Sequence, residues 1–246
     1  MALSFHASEP TSSWILQARR RHSGSLPLII TRRSFIAALS LTGIAALAGF
    51  APLNLIGEAM AQSASDVAKP VSLPDMVLGP ADAPVTITEF ASMTCPHCAV
   101  FNAAVFPKIK SEYIDTGKIR YVLREFPLDI KAAAGSMLAR CIAKDDSRKY
   151  FAVVDMLFKQ QGDWVMKNTR ETLSRIGKQA GLSEQGVEDC LKEQALLDKI
   201  AADQKYAREV LKVHSTPSFF INGEKINAGE TSFEELDKKI KSLLKS

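Results

Sequence analysis

Two cysteines stand three positions apart in the stretch TCPHC, with Pro96 and His97 between Cys95 and Cys98. Side chains at this spacing share one face of a helix, so the two sulfurs can meet and close a disulfide. Three chemistries use such a pair: a redox couple, half of a metal site, or an inert crosslink. The thiolate is the reactive form, and a free cysteine loses its proton only near about 8.5. At a helix start the unpaired amides and the macrodipole favour negative charge and lower that value. On this reading Cys95 is the surface nucleophile and leaving group, Cys98 is the inward resolving thiol, and His97 adds a positive charge and a donor beside Cys95. Each pKa unit lost by Cys95 stabilises its thiolate by about 1.4 kcal/mol. In a two-electron couple that is worth about 30 mV of oxidising power.

The other two chemistries find less support. A tetrahedral zinc site needs two further ligands, and Cys141, Cys190 and His214 are scattered, with no second short-spaced pair. A crosslink closing so short a loop contributes little stability. The remaining cysteines, Cys141 and Cys190, complete an even set, which in an oxidising compartment favours disulfide chemistry. Their pairing would close a loop of about 50 residues, worth about 4 kcal/mol in the chain-entropy account; free buried thiols are the alternative.

The elements that must position these groups follow from periodicity. VTITEF, Val85 to Phe90, reads as a central strand after the turn-rich lead-in SLPDMVLGPADAP. Thr94 is an N-cap residue type, Pro96 suits the first helical turn, and apolar residues from Val100 to Tyr113 predict one helix running to a stop at Gly117. A second strand lies in KIRYVLREFPL, giving strand, helix, strand. A long helical stretch follows: 131–143, 148–159, 169–181, 183–191 and 194–211, interrupted at KQQGDW, Gly177, Gly181 and Gly186. The β pattern then returns as a strand Ser218 to Ile221, a turn at Asn222-Gly223, a short strand around Lys225 and Ile226, and a helix from about Ser232 to Leu244. Pro217 directly before an aromatic strand is accommodated by a cis Thr216-Pro217 bond, which leaves a free backbone edge beside the active site. The class is α/β with an inserted helical domain.

Length and charge bound the rest. The 246 residues are 46% hydrophobic and 24% charged, enough for a packed core. Of the net charge of +4, +3 lies in the first 61 residues, so the remainder carries no nucleic-acid footprint. TRRSFIAALSLTGIAALAGFAP pairs Arg32 and Arg33 ahead of a weakly apolar run from Phe35 to Leu53, which resembles a twin-arginine export signal. Small residues at Ala59 and Ala61 place cleavage before Gln62, the alternative being an uncleaved membrane anchor.

GPADAPVTITEFASMTCPHC, the helical insertion and TPSFFINGEKI together resemble the DsbA-like thiol:disulfide oxidoreductases of the thioredoxin fold, from Asp75 to the C-terminus. The expected organisation is an export signal at 1–61, read from the leader, an extended segment at 62–80, a thioredoxin-like domain at 81–128 and 212–246, and the helical domain at 129–211. It makes Cys95 the attacking sulfur, Cys98 its buried partner, Pro96 and His97 the tuning dipeptide, and Pro217 a cis-proline facing them. Glu89 matches a buried acid that moves the proton of Cys98, against the alternative of a surface carboxylate at a strand end; Thr216 would contact the substrate backbone. No cofactor or metal is implied. Ser215 departs from the glycine of many relatives, and Thr216 stands where some oxidases have Val and isomerases often have Thr. The interval from Gln62 to Pro84 is too short for the dimerisation domain of the isomerases, which points to a monomer. The implied protein is a periplasmic oxidase that acts on reduced exported proteins and is reoxidised by a DsbB-type membrane quinone reductase. A reductase or isomerase of the same fold and a noncatalytic holdase chaperone are the alternatives.

Overall fold

The computed structural model describes residues 64–69, 72–228 and 232–245. The paired arginines, the apolar run after them and the cleavage point before Gln62 lie outside those residues.

Five strands form one sheet in the order β1-β3-β2-β4-β5: β1 Met76–Leu78, β2 Val85–Ala91, β3 Ile119–Glu125, β4 Ser218–Ile221 and β5 Glu224–Ala228. β2 and β3 are parallel, registered from Val85 opposite Ile119 to Ala91 opposite Glu125, whereas the other neighbours are antiparallel. Parallel neighbours need a crossover, and here it is made by α1 (Pro96–Ala104), α2 (Phe106–Ile109) and a π-helical turn at Lys110–Ile114. The single helix predicted for this stretch is therefore broken. Pro107 has no amide to donate to the preceding turn, so the first helix closes at Val105, whose amide still reaches the carbonyl of Phe101.

The lead-in is also more ordered than its turn residues suggest. Met76–Leu78 adds an edge strand beside β3. Gly79 turns the chain out of it at a φ of 86°, where a Cβ would sit 2.2 Å from the carbonyl oxygen of Ile119; only glycine fits that approach.

Between β3 and β4 the chain is helical: α3 Ile130–Ala143, α4 Ser147–Lys159, α5 Gln161–Trp164, α6 Thr169–Gln179, α7 Glu184–Lys192 and α8 Gln194–Glu209. Asp129, Asp146 and Ser183 cap α3, α4 and α7 by accepting from amides of the first turn. Two expected interruptions behave differently: Gly177 and Gly186 lie within α6 and α7. KQQGDW does interrupt the run, since α4 ends at Lys159 and the short α5 starts at Gln161, and Gly181, at a φ of 96°, follows the end of α6. Gly177 is a packing residue, because a Cβ there would meet Val187 Cγ2 at 2.4 Å. α9 (Phe233–Leu243) follows β5 and starts in a capping box between Ser232 and Glu235.

Strand alternation sorts the core. Ile87, Tyr121 and Leu123 pack with Phe101, Leu138, Leu157 and Trp164 on the face that meets α1 and the helical insertion. Phe90, Phe220 and Phe126 pack with Ala207, Leu211 and Val213 on the other. Glu89 and Glu125 are buried at 3% and 5% exposure, and the alternation puts both on the first face with Tyr121.

Candidate active site

β2 delivers the chain into α1 through the loop Ser92–Thr94. Cys95 is the N-cap of α1 and Pro96 occupies its first turn. Thr94, expected to be that cap, turns elsewhere. Its Oγ1 donates to Asp129 Oδ2 at 2.7 Å, while Asp129 Oδ1 accepts from the amide of Ala132. Ser92 Oγ accepts from the amide of Leu128 and lies 3.2 Å from Thr94 Oγ1. Gln161 Nε2 donates to the carbonyls of Met93 and Cys95, at 3.0 and 3.1 Å. The loop is thus tied to the starts of α3 and α5, so the helical insertion helps to place the first sulfur.

Cys95 and Cys98, the candidate pair, are both free thiols and both buried. Cys98 is fully enclosed, as expected. Cys95, expected at the surface, is only 5% exposed, because the loop ahead of β4 covers it: the Thr216-Pro217 bond is cis, and the Thr216 carbonyl oxygen lies 3.2 Å from Cys95 Sγ. Pro96 and His97 are exposed.

The cysteines divide one proton unequally. Cys95 is lowered from 9.0 to about 5. The largest cause is a hydrogen bond from the Cys98 thiol; burial opposes it, and Thr216 and the backbone amides of Cys98 and His97 add smaller contributions. The helix start acts as the sequence suggests, but the resolving thiol acts more strongly. His97 serves Cys95 through its backbone amide. Thr216 Oγ1 is buried without a hydrogen bond of ordinary geometry, yet it lies close enough to the Cys95 sulfur to favour the thiolate. Burial pushes the Cys98 thiol strongly up, helped by its donation to Cys95 and by the charge of Glu89.

Glu89 is raised from 4.5 to about 7, chiefly by burial and in part by the Cys95 charge. Tyr121, fully buried, donates its hydroxyl to Glu89 Oε2, which pulls in the opposite direction. The surface-carboxylate alternative for Glu89 is therefore set aside.

These causes predict a titration. Followed by thiolate absorbance, Cys95 deprotonates with a midpoint of about 5. Cys98→Ala raises that midpoint, and Cys98→Ser, which keeps a donor, raises it less. A midpoint unmoved by Cys98→Ala would assign the lowering to the backbone alone.

Elsewhere, Cys141 on α3 and Cys190 on α7 are joined in a disulfide, with Cα atoms 5.7 Å apart. Neither is available to complete a metal site with Cys95 and Cys98. His214 is exposed. Sequence reasoning missed Tyr121, Gln161, Asp129 and the buried Arg140. Tyr121 shows its signal only as an inward position two residues along a strand from other apolar ones, and Gln161 shows none, since its partners are backbone carbonyls distant in sequence.

A reduced dithiol at a helix start, set against a cis-proline beside a five-stranded sheet, is the thiol–disulfide exchange arrangement of the thioredoxin fold. Known proteins agree with this assignment. The family model described as Thioredoxin matches residues 72–242, and the chain belongs to that family, among its DsbA-like members. The crystal structure of Wolbachia pipientis alpha-DsbA1 is similar with a TM-score of 0.68 and 31% identity, over 74% of this chain and 96% of that one. A Rickettsia bellii protein named as a protein-disulfide oxidoreductase is 39% identical over 150 residues, which are 61% of this chain and 57% of that protein. The match therefore spans little more than half of that relative's length. Disulfide bond formation protein D of Bacillus subtilis is 26% identical over 69% of this chain and 77% of its own.

Proposed function

We propose that this chain is an exported dithiol oxidase that passes a Cys95-Cys98 disulfide to newly translocated proteins. The observation that carries the reading is the asymmetry of the pair: a Cys95 thiolate held at about 5 beside a Cys98 held as the thiol. Such a thiolate is a good leaving group, and its stability in the reduced form makes the disulfide oxidising.

In the oxidised form a substrate thiolate attacks Cys95 Sγ. The S–S bond breaks, and Cys98 leaves as a thiolate that takes a proton from Glu89. A second substrate thiolate then attacks the substrate sulfur of the mixed disulfide, and Cys95 leaves as a stable thiolate. Two electrons pass from the substrate dithiol to the cysteine pair. The free backbone edge at Thr216-Pro217 suits an extended peptide, bound by strand-like hydrogen bonds. Leu128, Ile130 and Met166 are 52, 73 and 78% exposed. Leu128 adjoins the active-site loop through its amide, and Lys131 reaches the Val165 carbonyl. Apolar side chains of unfolded substrates suit such a surface.

Export rests on the twin-arginine pattern of the leader. Among the described residues no helix is long and apolar enough to cross a membrane. A monomer reoxidised by a DsbB-type quinone-linked membrane protein follows from the family likeness.

Equilibration with glutathione tests the reading. The oxidase reading expects a couple far more oxidising than thioredoxin, near the DsbA end of the known range. The sign follows from Cys95, whose pKa is depressed. Its contribution to the reduced fold is complete above the ordinary value of 9.0 and is lost as pH falls through about 5. The thermal-stability advantage of reduced over oxidised protein should therefore shrink between pH 7 and pH 4. A potential near that of thioredoxin would make the protein a reductase.

A further inference from the structure

We infer that Tyr121 is a positioning residue of the proton relay at Cys98: the hydrogen bond from its hydroxyl keeps the Glu89 carboxyl able to accept a proton as well as to return it. The inference rests on the exchange reading above and concerns a group outside the cysteine motif.

Two carboxyls are buried on one face of the sheet, and the fold treats them differently. Glu125 is gripped by both Nε and Nη2 of Arg140, at 2.5 and 2.8 Å, and accepts from the Tyr150 hydroxyl at 2.6 Å. Among the described residues Glu89 has no cation within ion-pair distance; its hydrogen bond comes from Tyr121. A guanidinium fork favours the carboxylate strongly, whereas one neutral hydroxyl favours it modestly. Burial pulls Glu89 towards the acid and Tyr121 towards the anion, and the balance falls at about 7. A proton relay requires that poise.

The groups facing Glu89 are few. Tyr121 comes from β3, Cys95 and Cys98 from the start of α1, and Tyr150 of α4 is near enough to feel its charge. Arg140 and Glu125 lie beyond Tyr150. The Tyr121 ring is held by Phe106 and Phe151, with centroids 5.0 and 6.1 Å away, so the hydroxyl is aimed by packing.

Reoxidation shows the need for an acceptor. The Cys95 thiolate attacks an incoming disulfide, one of whose sulfurs leaves as a thiolate. Cys98 must then lose its proton to Glu89 before its sulfur can attack Cys95 and expel the second. With the hydroxyl gone, Glu89 stays protonated at pH 7 and the second attack slows.

The test uses the full chain with Tyr121→Phe and, separately, with 3-fluorotyrosine at position 121. The Glu89 carboxyl is followed by carbon-13 NMR, assigned with Glu89→Gln. Tyr121→Phe should move the carboxyl midpoint up by about one pH unit, and the more acidic fluorotyrosine should move it down. Reoxidation by oxidised glutathione should be about fivefold slower at pH 7 for Tyr121→Phe, should converge with the unmodified protein near pH 9, and should show no further loss when Tyr121→Phe is added to Glu89→Gln. A merely structural tyrosine would leave the carboxyl midpoint in place and give additive losses; either result overturns the inference. Absence of exchange in the unmodified protein would strike the oxidase reading instead.

Discussion

Cys95→Ala should abolish oxidation of a reduced test protein, leaving only the uncatalysed rate. Of the two sulfurs, Cys95 is the one beside the cis-proline edge where a peptide can lie, while Cys98 is fully enclosed. Without the first sulfur there is no disulfide for a substrate thiolate to attack. Cys98→Ala separates the steps. Its reduced protein keeps the Cys95 sulfur, less acidic without the Cys98 donor, which as its thiolate attacks a disulfide substrate, but the product cannot be resolved. A mixed disulfide of one substrate per chain should accumulate, visible by mass spectrometry of acid-trapped protein. Oxidation that persists undiminished in Cys95→Ala would reject the enzymatic reading. Suppression of aggregation that survives in the same variant would favour a holdase.

The second large effect is on stability. Arg140→Ala should destabilise the fold by about 3 to 5 kcal/mol, because it leaves Glu125 buried and charged without its partner. Arg140 also donates to the Pro74 carbonyl at 2.6 Å, so the variant loosens the lead-in to β1 as well. Chemical denaturation measures the loss. The double replacement Arg140→Met with Glu125→Gln should recover much of it, since removing both charges removes the unpaired one. An Arg140→Ala protein within about 1 kcal/mol of the unmodified one would mean that water reaches Glu125, which the enclosed geometry does not allow for. In the folded variant the Cys95 midpoint should stay at about 5, because none of the groups that set it is Arg140.

Most of the α/β framework was legible because its signals are local. Val85 to Phe90 and Ser218 to Ile221 carry β-branched and aromatic runs, Asn222-Gly223 marks its hairpin, and Pro217 before an aromatic strand foretells the cis bond seen at Thr216-Pro217. Errors arose where two local signals compete. Thr94 has the chemistry of a cap, but the neighbouring Cys95 takes the position and Thr94 turns to Asp129, 35 residues on. Helical periodicity from Val100 to Tyr113 concealed the break at Pro107. Gly177 resembles a stop until α7 is packed against it.

By itself the sequence pointed to the Cys95 and Cys98 pair, to most of the strands and helices, and to the family, since CPHC at a helix start and Thr-Pro before a strand are short-range patterns with direct backbone consequences. The tertiary structure alone decided how acidic each sulfur is and what answers Glu89. Those depend on burial and on groups such as Thr216 and Tyr121, which reach Cys95 and Glu89 from 121 and 32 residues away. Electrostatic free energies are set by distance and solvent exclusion, which are properties of the folded chain.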